Sequence, residues 1–111
     1  MALIKYALFL CVFVAGCKED ISVRVTNNSS VALKDVVLNY TGGMSSLSNL
    51  TCDTSWTAHI KPSSESSIVL SYFDGIRKHA EDLDIYLEPS CNSFVHIVVQ
   101  SNGEARVEQI R

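Results

Sequence analysis

The side chains able to do chemistry are few and scattered. His59, His79 and His96 fall on different stretches with no HxH or HExxH spacing, so no local frame gathers metal ligands. Serine is abundant, yet no GxSxG elbow is present and no serine has an identifiable base partner. Gly42-Gly43 lacks the downstream Lys-Ser/Thr of a phosphate loop. Asp82/Asp84 and Glu81/Glu88 pair carboxylates no better than chance in an acidic chain. No catalytic residue, metal ligand or cofactor site is assigned, and the expectation is that the protein is not an enzyme. That leaves four cysteines, whose positions differ in kind.

The chain of 111 residues is long enough for one small domain. Its apolar content is uneven. Residues 1–16 (MALIKYALFLCVFVAG) carry Lys5 as their only charge, and the uncharged run from Tyr6 to Gly16 is 11 residues long. A membrane-spanning helix needs roughly 20, so this is a secretory leader rather than a permanent span. Without Lys5 the remainder holds 8 basic against 12 acidic side chains. That balance offers no basic footprint, and nucleic acid is not an expected partner.

Val14-Ala15-Gly16-Cys17 resembles the bacterial lipobox, with an aliphatic residue, two small residues and then Cys. The resemblance implies a lipoprotein: diacylglycerol on the Cys17 thiol, cleavage before Cys17, and acylation of the new amino terminus. Two or more acyl chains hold a protein at a bilayer stably, so the partner implied is the membrane itself. Residues 1–16 are then signal peptide, residues 17–20 a lipidated start with a short tether, and residues 21–111 a periplasmic domain. Lys18 stands where Asp resembles an inner-membrane retention signal, which favours the outer membrane, periplasmic face. The rival reading is a secreted, non-lipidated β domain. It draws on the glycosylation triplets at Asn28, Asn39 and Asn49.

Cysteine parity follows. Cys11 leaves with the leader, Cys17 takes lipid, and Cys52 and Cys91 remain as an even pair in an oxidising compartment, where a disulfide is expected. Neither sits in a CxxC, so redox or metal chemistry is not expected of them.

The elements that must position these residues read as strands. Ile21, Val23 and Val25 alternate with polar residues, and Asn27-Asn28-Ser29-Ser30 supplies turn chemistry for a hairpin to Val36, Leu38 and Tyr40. Residues 44–57 read as a loop or short edge strands. Ile68, Leu70 and Tyr72 mark a buried strand ended by Asp74-Gly75, residues 77–84 a solvated strand or loop face, and Leu83, Ile85 and Leu87 a further strand. Val95, Ile97 and Val99 form another, and Ser101-Asn102-Gly103 turns the chain into residues 105–110. The expected class is all-β: a small antiparallel β-sandwich (Ig-like) or barrel of six to seven strands. Residues 21–43 (ISVRVTNNSSVALKDVVLNYTGG) and 84–89 (DIYLEP) resemble small exported bacterial proteins of β-sandwich-like layout, and no activity comes with that likeness.

Trp56 is expected to pack against a Cys52–Cys91 bridge, or else to anchor an interface. Asp84, Tyr86 and Glu88 would share one strand face, and with Trp56 they are the candidate interaction face. The functional expectation is a lipid-anchored envelope protein, a binding or envelope-accessory module of unknown specific activity, with a protein or glycan as its partner. The alternative is an anchored inhibitor of a periplasmic hydrolase of the lysozyme type.

Overall fold

The alternation that buries one face of each strand accounts for the architecture. The computed structural model describes residues 21–87 and 93–110, and every regular element there is a strand. They are β1 (Ile21–Asn27), β2 (Leu33–Tyr40), β3 (Gly43–Leu50), β4 (Ser55–Ile60), β5 (Val69–Phe73), β6 (Lys78–Asp82), β7 (Ser93–Val99) and β8 (Ala105–Ile110). They form two four-stranded sheets, ordered β4-β1-β7-β8 and β3-β2-β5-β6. Ile21, Val23 and Val25 of β1, Val36 and Leu38 of β2, Leu70 and Tyr72 of β5, and Val95, Ile97 and Val99 of β7 meet between the sheets, nearly all solvent-free. This is a β-sandwich, with inner faces packed on each other and alternate residues turned outward.

Eight strands are present among the described residues, more than the six or seven expected, and the pairing is not purely antiparallel: β1 and β7 run parallel, Ile21 beside Ser93 and Asn27 beside Val99. The β1–β2 hairpin expected at residues 27–30 is absent. Those strands lie in different sheets, and the connection crosses between them because Asn27 turns its side chain inward. Asn27 is fully buried; its Nδ2 donates to the carbonyls of Val31 (2.8 Å) and Leu50 (2.9 Å), and its Oδ1 accepts from the Ser29 amide and hydroxyl. Four hydrogen bonds satisfy the amide and stitch the β1–β2 connection to the end of β3.

Two further differences have physical causes. Residues 44–57 contain most of β3 and the start of β4, so of the loop or short edge strands expected there the structure has edge strands, longer than the Ser and Thr content suggests because an edge strand buries little. The strand expected at Leu83, Ile85 and Leu87 is instead an irregular run. Asp84 adopts φ 55, which interrupts the regular strand backbone, yet burial keeps its alternation: Ile85 and Leu87 are buried, Asp84 and Tyr86 exposed, and Leu87 bridges to Ser66. The regular strand is the charged segment before it, Lys78–Asp82.

The sandwich has two ends. At the proximal end Ile21 lies beside Ile60 and Ser93, and the β2–β3 turn is tied in by the Ser63 amide donating to the Thr41 carbonyl. At the distal end lie residues 28–32, 51–54, 74–77 and 100–104, which make the β1–β2, β3–β4, β5–β6 and β7–β8 connections.

Candidate functional site

Cys17, Glu88 and Cys91 lie outside the described residues. Trp56 stands on β4 opposite Val25, half-buried, and packs on the core in phase with Ala58 and Ile60. Asp84 and Tyr86 are exposed in the irregular run after β6, at the other edge of the sandwich. Asp84 and Tyr86 share an exposed side opposite the buried Ile85 and Leu87, while Trp56 belongs to the opposite edge and is not brought together with them.

Cys52 is half-buried in the β3–β4 turn and makes no disulfide among the described residues. That turn is distal, since the Asp53 amide donates to the Asn27 carbonyl at 2.8 Å. The Cys52–Cys91 bridge that cysteine parity suggests is not seen: Cys52 is free, and Cys91 lies outside the described residues. The expected result is that reducing agent leaves the urea midpoint of unfolding where it was and that Cys52 titrates with a thiol reagent in the folded protein. A midpoint that drops on reduction would restore the bridge.

The distal end holds the arrangement that sequence patterns missed. The β5–β6 hairpin closes on Phe73 beside Lys78, so the next pair inward is Tyr72 and His79. Their rings stack with centroids 4.8 Å apart and planes 17° from parallel. His79 Nε2 lies 2.8 Å from Asp74 Oδ2, while Asp74 Oδ1 accepts from the amides of Ile76 (2.9 Å) and Arg77 (2.7 Å). The Tyr72 hydroxyl donates to the carbonyl of Gly103 in the β7–β8 turn, and Glu81 Oε2 accepts from the Ala105 amide at 2.9 Å. Gly103 has φ +83, so the turn favours glycine, and a Cβ there would make ordinary contact with the His79 ring at 3.4 Å. One sheet thus grips the last hairpin turn of the other. The Asp74–His79 pair has no hydroxyl or thiol bonded to it among the described residues, because the Tyr72 hydroxyl is turned to Gly103. Its chemistry is that of a clamp.

Three of these loops enclose a cleft of about 190 Å³ that includes Ser30, Val31, Tyr72, Ile76 and Asn102 in its lining. Val31 and Ile76 rim it with exposed apolar groups, Ile76 at 91% exposure. The Asn27 network holds the first rim and the Asp74 carboxylate holds the second. Each tip carries one exposed apolar side chain among polar neighbours and is pinned by hydrogen bonds. A larger hollow of about 370 Å³ lies on the outer face of the second sheet between Asp35, Val37, Phe73 and Lys78.

The electrostatics follow the geometry. The His79 hydrogen bond, then the Arg77 and Ile76 amides, hold the Asp74 carboxyl well below its ordinary 3.8. A depressed carboxylate contributes stability at pH values above its unfolded pKa and loses it as pH falls through the folded one. Acidification below about pH 4 is therefore expected to lower the wild-type urea midpoint, and Asp74→Asn should flatten that limb. Parallel acid limbs in both proteins would show that Asp74 is not the group responsible. The signal for this site was present in sequence as Asp74-Gly75 followed by His79, but only if residues 78–82 are read as the returning strand.

No protein-family model matches the chain, and no curated protein matches it. Solved structures do. A protein from Eubacterium rectale, determined by NMR, superposes with a TM-score of 0.50 at 16% identity over 82% of this chain and 88% of that one. The N-terminal domain of AlgF from P. aeruginosa gives 0.49 at 18% identity over 82% and 93%. The first likeness is one of fold.

Proposed function

We propose that this chain is an exported envelope protein, anchored by lipid on Cys17, that works as a non-enzymatic binding module through its distal cleft. The observation that carries the reading is the pairing of Val14-Ala15-Gly16-Cys17 at the end of an apolar leader with a domain whose first strand starts four residues later, at the end opposite the cleft. Four peptide links span at most about 14 Å, so an anchor at Cys17 holds the proximal end near the bilayer and turns the cleft outward. Lys18 favours the periplasmic face of the outer membrane. The cleft suits a partner that seats an apolar group between Val31 and Ile76.

The test is the intact mass of the mature protein from its native membrane, with Cys17→Ser beside it. The expected mass begins at an acylated Cys17; the variant loses fatty-acid label, keeps its leader and runs larger. A mature protein that starts elsewhere, or a variant that labels and fractionates like wild type, overturns the reading.

A further inference from the structure

Five large apolar residues are conspicuously exposed among the described residues, and they divide between the two ends. Val31 and Ile76 rim the distal cleft. Met44, Tyr86 and Ile110, at 58%, 64% and 56% exposure, belong to the proximal half. Met44 follows the β2–β3 turn directly after Gly43, which pairs with Tyr40. Tyr86 precedes Leu87, which is bridged to Ser66 just beyond the segment tied to that same turn. Ile110 ends β8 opposite Val95, two residues into β7. None of the three is in the buried cluster, and no single strand accounts for them.

From this placement we infer that the proximal end is a membrane-contact surface, with the bilayer as its occupant. The inference rests on the lipid-anchor reading, because the length of chain between Cys17 and Ile21 supplies the argument for the occupant. A span of at most about 14 Å leaves this end no room to stand far from the headgroups. The polar region on each side of a bilayer is several ångströms deep, enough to receive exposed side chains at a loop tip. Tyrosine suits that zone, since its ring is apolar and its hydroxyl stays wet. A tether also turns a weak contact into a populated one, because the contact becomes intramolecular. Glu65, Asp82 and Asp84 stand exposed in the segments at this end beside Lys61, so the surface matches a zwitterionic bilayer better than an anionic one.

The experiment uses the full chain, processed in cells and reconstituted in phosphatidylcholine vesicles with brominated acyl chains. Tyr86→Trp and Met44→Trp, each combined with Trp56→Phe, report on the proximal end, and Ile76→Trp with Trp56→Phe reports on the distal end. All three positions are exposed, so folding should tolerate them. Fluorescence at the two proximal positions is expected to be quenched at least about twofold more than at the distal one. Equal quenching at both ends, on protein whose mass confirms acylation, overturns the contact and leaves the anchor standing. A mass without acyl chains overturns both.

Discussion

Tyr72→Ala is expected to cost about 4 kcal/mol of folding stability, because it removes the largest fully buried side chain and leaves a cavity between the sheets. Tyr72→Phe keeps the ring against His79 and loses only the hydroxyl that donates to Gly103, so about 1 kcal/mol is expected. The ratio of the two separates packing from the hydrogen bond that joins the β5–β6 hairpin to the β7–β8 turn. Urea unfolding followed by Trp56 fluorescence measures both. The phenol also carries a pH signature. Burial first, then the carboxylates of Glu81, Asp74 and Glu104, raise its pKa above the ordinary 10. An acid whose folded pKa is raised favours folding while it stays protonated, and that contribution fades as pH climbs past the unfolded value toward the folded one. Wild type should thus lose stability above about pH 10, and Tyr72→Phe should lose less of it. Identical alkaline limbs would contradict the assignment.

Asn27→Ala is expected to cost about 3 kcal/mol. The side chain is wholly buried and makes four hydrogen bonds; its removal takes their partner from the Leu50 carbonyl and the Ser29 amide, while the Val31 carbonyl keeps the Ser29 hydroxyl at 2.9 Å. Each stranded buried group costs about 1–3 kcal/mol, of which water entering from the loop side recovers part. Ser29→Ala, which deletes one partner of the same network, should cost about 1 kcal/mol. Because small domains hold only about 5–15 kcal/mol in total, Asn27→Ala should show a visibly populated unfolded state at moderate heat. A loss below about 1 kcal/mol would mean that the network orders the loop without stabilising the sandwich.

How much of this was legible in the chain depends on what each residue had to do. Strands with one face wholly buried announced themselves: Ile21, Val23 and Val25, Leu70 and Tyr72, and Val95, Ile97 and Val99 all lie between the sheets. Sheet membership was not legible. Alternation says which face is buried, and it is silent on which strand lies alongside, so the Asn27-to-Ser30 turn looked like a hairpin and is a crossing. The edge strand β3 was legible only as one of two alternatives, loop or edge strand, because Ser45, Ser46 and Ser48 leave little of it buried. Leu83, Ile85 and Leu87 imitated a strand, because irregular backbone held by Asp84 in the left-handed region can bury the same side chains. The distal clamp escaped for a different reason. Tyr72, Asp74 and His79 come together only through hairpin register, and the charged residues 78–82 gave no apolar period from which to read that register.

The parallel union of β1 with β7 bears on when this domain can fold. Ile21 and Ser93 are neighbours in space and 72 positions apart in sequence, so one side of the first strand has no mate until the seventh is available. Such distant pairings raise contact order and slow the search for the native state. The sheet that holds β1 can therefore complete only once the chain is free through residue 99, however it reaches its compartment.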